Sequence, residues 1–171
     1  MSCRVQITAC TKILFLFALL LPLSLFSQTK LASTTELAQR AEVVAVGKVT
    51  SLVSEWNETR TMIRTRVTVA VQEYVKGATS DKLLTLYVPG GEVGGVGELY
   101  THMPSFRPDE DVVVFAEKDK QNRYRVSNGL QGKLTVKRDK GTGALMVSEG
   151  RTLENLTNEV KQVVEAEIDK Q

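Results

Sequence analysis

The chain has 171 residues, of which 25% are charged and 42% hydrophobic, with a formal net charge of +2. This length suits one domain with its own core, and the near-balanced charge lacks the strong positive field that gathers nucleic-acid phosphate. DNA and RNA are therefore excluded as expected partners.

Arg4 and Lys12 precede an apolar run from Ile13 to Phe26, a basic segment and then an apolar one of export-signal length. Pro22 interrupts the run and Ser27-Gln28-Thr29-Lys30 ends it, short of the about 20 unbroken apolar residues a permanent anchor needs. Residues 1–27 are expected to be a cleaved signal peptide, with residues 28–171 exported to the periplasm or the extracellular space as a single domain without a stable membrane span. The signal holds two of the 22 basic residues and none of the 20 acidic ones, so the remainder carries 20 of each and is formally neutral. It also holds both cysteines, Cys3 and Cys10. No disulfide is left to staple the rest, although export would permit one.

Ser33-Thr34-Thr35-Glu36 has capping-box spacing and predicts a short helix over residues 33–42, with Leu37, Ala38 and Ala41 on one face. Val43 to Val53 is β-branched and nearly continuous, as in a strand covered on both sides. Gly47 predicts a bulge that bends it, and Trp56, the only tryptophan, closes it at a partly buried rim. After the polar turn Asn57-Glu58-Thr59-Arg60 the pattern alternates. Ile63, Val67, Val69 and Val71 point one way and Arg64, Arg66, Thr68 and Gln72 the other; the polar side is either a solvated face or a surface for an acidic partner. Lys76-Gly77 ends that strand, and Leu83–Val88 makes the next.

From Pro89 to Asp111 no strand or helix pattern is visible: five glycines fall within Gly90–Gly97, and Pro104 and Pro108 follow. Unstructured connections of this length are uncommon in compact domains and tend to be functional or disordered. Further strands are expected at Val112–Ala116, Tyr124–Val126, Lys133–Lys137 and Ala144–Val147, with Gly129 and Gly132 as a turn or bulge and Asp119–Asn122 as a hairpin turn. Thr152 opens a terminal helix to residue 168, with Leu153, Leu156, Val160, Val163, Val164 and Ile168 at helical spacing. The pattern predicts a mainly β protein, a small antiparallel barrel of the OB-like kind with a helix at each end.

Catalytic patterns are sparse. With no cysteine after residue 27 and a single histidine, His102, thiol catalysis and a multi-histidine metal site are not expected. The glycines lack the Lys-Ser/Thr and helix of a phosphate-binding loop. Asp109-Glu110-Asp111 lacks the alternating spacing of a calcium loop. Neither a metal nor a cofactor is expected.

The stretches "EVVAVGKVTSL", "RTRVTVAVQEYVKG", "LLTLYVPGG" and "FRPDEDVVVFAE", in this order, resemble the OB-fold module of the tissue inhibitors of metalloproteases and netrin-like domains. Val88 to Gly91, Gly94-Gly95, Phe106 to Phe115 and Gln131-Gly132-Lys133 are also similar to a group of uncharacterised exported bacterial proteins. The resemblance runs from about Glu42 to Lys137 and implies the barrel and, more remotely, protease inhibition. The inhibitors chelate their target's zinc with an N-terminal cysteine held by disulfides. The segment after Ser27 has none, so those residues do not carry over.

The sequence thus points to an exported, non-enzymatic binding module. Its expected contacts with a protein or glycan partner are Gly90, Gly91, Glu92, Val93, Gly94, Gly95, His102, Phe106 and Arg107, with Trp56 at the rim. Two other readings stand beside it. In one, the domain is a structural part of the cell envelope and the loop plugs the barrel, with Val93, Val96, Leu99 and Phe106 inward. In the other, Glu92 and Asp109 form the carboxylate pair of a hydrolase.

Overall fold

A capping box starts the first helix, in the manner expected from Ser33 and Glu36. The Ser33 hydroxyl accepts the Glu36 N–H at 3.1 Å, and the Glu36 carboxylate accepts the Ser33 N–H at 2.8 Å. The computed structural model describes residues 31–77 and 79–169; the signal expected over 1–27 lies outside the described residues. Among them, no helix is long and apolar enough to cross a membrane. Helix α1 (Thr34–Arg40) stops two residues short of the expected end at residue 42. Ala41 is already extended and the Glu42 N–H donates to the Ala116 carbonyl at 2.9 Å, so sheet pairing captures the chain before another helical turn can close.

Five strands form a closed barrel, as the sequence predicts. They are β1 (Val43–Trp56), β2 (Ile63–Lys76), β3 (Leu83–Pro89), β6 (Asp111–Lys118) and β7 (Tyr124–Val126), while β4 (Gly91–Val93) and β5 (Val96–Glu98) form a separate hairpin. Strand β1 pairs antiparallel with β2 on one edge and β6 on the other, β2 pairs with β3, and β6 pairs with β7. A parallel bridge from Leu86 to Tyr124 joins β3 to β7 and closes the ring. The barrel is thus antiparallel except at that seam. Strands β8 (Lys133–Arg138) and β9 (Leu145–Val147) extend from β6 outside it, and Gly129–Gly132 forms a short 3-10 turn. The bulge expected at Gly47 is present, because the β1–β2 register shifts between Val46 and Gly47. A side chain there would overlap the Ala70 carbonyl.

The continuous apolar runs of β1 and β6 are explained by two cores. Alternate residues Val43, Ala45, Val49, Val112, Val114 and Ala116 fill the barrel with Val67, Leu86 and Val88. The intervening Val44, Val46, Val113 and Phe115 face outward and are covered by α1 and by α2 (Leu153–Ile168) through Leu37, Leu156 and Val160. Each fully buried side chain of this kind stabilises the fold by about 1.5–3 kcal/mol, and here a strand uses both faces.

Thr152 caps α2, its hydroxyl accepting the Asn155 N–H at 3.2 Å. The apolar stripe expected to run to Ile168 docks as far as Val163: Val160 is buried and Val163 packs on the same core, while Ile168 is 66% exposed and the last turn is tied to β2 by the Glu167–Lys76 ion pair at 2.9 Å. Arg151 clasps the two helices, donating to Thr34 and to the carboxylates of Glu149 and Glu159.

Candidate functional site

The glycine-rich segment is partly a strand pair, which corrects the expectation of an unstructured loop. Its sequence, Glu92-Val93-Gly94-Gly95-Val96-Gly97-Glu98, is nearly symmetric about a Gly-Gly pair, and that is the signal of a two-residue hairpin. Strand β4 pairs with β5 through Gly91–Glu98, Glu92–Gly97 and Val93–Val96. Gly94 and Gly95 form the tip with φ of 60° and 80°, the positive values that a tight hairpin turn needs. A Cβ at either tip position would meet nothing within 4 Å.

Gly90 and Gly91 serve a different purpose. Both have positive φ, 97° and 132°, and they bring the hairpin down onto β1 and β2. The Gly90 N–H donates to the Ile63 carbonyl at 2.8 Å, and the Gly90 carbonyl accepts the Thr65 hydroxyl at 2.7 Å. A Cβ on Gly91 would overlap the hydroxyl oxygens of Ser54 and Thr65. So two glycines allow close approach and two make the turn.

The base of the hairpin is held by Glu98, whose carboxylate accepts the Ile63 N–H at 2.9 Å and the Tyr100 hydroxyl at 3.3 Å. Desolvation, followed by the Glu98 charge and hydrogen bond, raises the Tyr100 pKa above its ordinary value. Beyond it the chain turns back, and the His102 carbonyl accepts the Leu130 N–H at 3.1 Å. Met103 and Phe106 then pack against the barrel core. Glu110 anchors the far end. One of its carboxylate oxygens accepts Lys133 Nζ and the Thr135 hydroxyl, each at 2.6 Å, and the other accepts the Arg107 N–H at 3.1 Å. Burial raises the Glu110 pKa, but the hydrogen bonds from Lys133 and Thr135, the Lys133 charge and the Arg107 N–H outweigh it and hold the carboxyl below its ordinary value.

Between the strand ends and the hairpin lies a cleft of about 510 Å³, within the size range of small-molecule and side-chain sites. Its floor is apolar, from Leu52, Val67, Val88, Met103 and Phe106, while its polar side chains include Ser54, Thr65, Glu92, Glu98, Tyr100 and Ser105. Hydroxyls and carboxylates over an aliphatic floor can accept and donate hydrogen bonds and cover apolar groups. Among the described residues, no three His, Cys, Asp or Glu side chains converge as a metal site would require.

Of the residues expected to bind, Gly90, Gly91, Glu92 and Phe106 line this cleft. Gly94 and Gly95 stand at the hairpin tip, with Val93 beside them. His102 and Arg107 are exposed and lie outside the lining, as does Trp56 at the end of β1 opposite Ile63. Asp109 does not line the cleft with Glu92; its N–H extends the β1 pairing by donating to Val49 at 2.9 Å. The inward plug is corrected in part. Phe106 packs on the core, but Val96 is 49% and Leu99 91% exposed. Sequence reasoning missed Ser54, Thr65, Glu98 and Tyr100, and the near-palindrome around Gly94-Gly95 was the signal that would have placed Glu98 opposite Gly91. No protein-family model matches this chain, and neither does any curated protein.

Proposed function

We propose that this protein is an exported, non-enzymatic binding module that contacts an extracytoplasmic protein or glycan through the β4–β5 hairpin and the cleft below it. One observation carries this reading. The hairpin projects an unobstructed Gly94-Gly95 tip flanked by exposed Val96 and Leu99 directly beside an apolar-floored cleft, an arrangement that leaves apolar surface to be covered by something else. Protease inhibition is the narrowest form of the reading and rests on the resemblance alone; the Pro89–Arg107 segment would have to supply the contact.

A photo-reactive residue at Leu99, introduced into the full chain in its native host, is expected to cross-link to a discrete partner. The same residue at exposed Thr142, on the β8–β9 turn, is not. Equal cross-linking from both positions, or none from Leu99, overturns the reading. A structural role, with the segment as a closure of the barrel, draws on the packing of Met103 and Phe106 and the anchorage of Glu110. Hydrogen exchange separates the two: a closure keeps residues 94–99 as protected as the barrel strands, whereas an interaction hairpin exchanges fast when free and slows with its partner.

A further inference from the structure

On the face of β2, β3 and β7 turned away from the barrel core, Tyr87 is surrounded by arginines. Arg66 is its direct partner in the β2–β3 register, and the guanidinium groups of Arg64 and Arg123 lie 5.0 and 5.2 Å from its ring centroid. Each of these two is braced on one edge by a carboxylate. Arg64 donates to Glu55 through Nε and Nη2, both at 3.0 Å, and Arg123 donates to Asp119 through Nε at 3.0 Å and Nη2 at 2.9 Å. Arg125 meets Glu117 at 2.7 Å.

A guanidinium has five N–H donors, so the braced groups keep donors free. The Arg66 guanidinium keeps all of its donors, for among the described residues its side chain makes no hydrogen bond or ion pair. Stacking and bracing also fix the planes of Arg64 and Arg123 in advance, which lowers the entropy lost on binding.

Two hollows meet at Tyr87 and Arg123. One, of about 230 Å³, has an apolar wall from Met62, Pro89, Met103 and Val126. That is below the roughly 300 Å³ at which drug-sized ligand sites begin, and suits one apolar side chain. The other, of about 440 Å³, brings Arg66 and Arg123 beside Asn122 and Tyr124. Its one acidic member, Asp81, makes no side-chain hydrogen bond or ion pair among the described residues.

We propose that this face binds an acidic, apolar peptide segment of a partner protein, with one apolar side chain in the Met62–Met103 hollow and an adjacent carboxylate gripped by Arg66 and Arg123. The unpaired guanidinium of Arg66, the free donors of Arg123 beside it and the size of the apolar hollow together select this occupant. A planar carboxylate matches the forked donors of arginine. A glycan would use an open aromatic platform, whereas the Tyr87 ring is taken by the guanidinium groups of Arg64 and Arg123.

The probe is a fluorescein-labelled peptide alternating Asp and Leu, titrated with the full chain and followed by anisotropy. Binding is expected to weaken with salt and to fall by about tenfold or more in R66E. It is also expected to be lost when Asn replaces every Asp in the peptide, and when Ser replaces every Leu. Thermal melting establishes that R66E is folded; R125E provides a second charge reversal on the same face if it is not. Equal affinity for the Asp and Asn peptides, or undiminished binding by a folded R66E, overturns the proposal. So does displacement of the peptide by an acidic polysaccharide at lower concentration than by unlabelled peptide, which assigns the face to a glycan.

Discussion

Ser54 and Thr65 stand opposite each other in the β1–β2 register with their hydroxyls 3.0 Å apart, and the backbone of Gly91 rests on the pair. This contact fixes how the hairpin lies on the barrel, and it separates the glycines of the segment into two kinds.

Replacing Gly91 by Ala places a methyl group against both hydroxyls at a φ of 132°, which L side chains rarely adopt. The expected cost is about 2–3 kcal/mol. Gly94→Ala has only its φ of 60° to bear and open space around it, so about 1 kcal/mol is expected. Urea denaturation of the two variants checks the order; an equal or reversed cost would show that the hairpin does not bear on Ser54 and Thr65.

The anchorage by Glu110 gives the fold an acid-sensitive element. Its pKa is lowered on folding, so its contribution is complete above the ordinary carboxyl value of about 4.3 and is lost as pH falls through the lower folded value. Both side chains of the Glu110–Lys133 pair are largely buried, 13% and 10% exposed. Glu110→Gln is expected to cost about 3 kcal/mol at neutral pH by leaving Lys133 unpaired. It should also flatten the loss of stability below that carboxyl value, measured as urea midpoints from neutral to acid pH.

The apolar face of α2 is buried at Val160 and exposed at Ile168. Val160→Ala, in the outer core, should lower stability by about 2 kcal/mol, whereas Ile168→Ala, 66% exposed, should change it by less than about 0.5 kcal/mol. A large effect at Ile168 would mean that the helix end has a binding surface of its own.

The Tyr100 hydroxyl reports on Glu98. Glu98→Gln removes the charge and alters the hydrogen bond that help raise the Tyr100 pKa, so its titration should move down but stop short of the ordinary value, because desolvation, the larger cause, stays. Ultraviolet titration of the phenolate, with Tyr100→Phe identifying the transition among the four tyrosines, measures this.

Local chemistry settles much of this molecule. The capping box at Ser33, the Thr152 cap, the bulge at Gly47 and the double-sided apolar runs of β1 and β6 follow from the residues themselves, because each depends on hydrogen bonds or periodicities within a few positions. From these the barrel and its flanking helices are legible. The candidate site is legible only in part. Glycine content marks the segment, but whether Gly91 must be glycine and Gly94 merely should be depends on Ser54 and Thr65, more than 25 residues away in sequence. Their meeting rests on a β1–β2 register with shifts at three places, and a single shift moves each side chain to the other face of the sheet. For the same reason the exposure of Leu99, the exposure of Ile168 and the gathering of Arg64, Arg66 and Arg123 around Tyr87 were decided by tertiary packing: burial depends on which distant surface arrives to cover a residue, and the local sequence does not encode that.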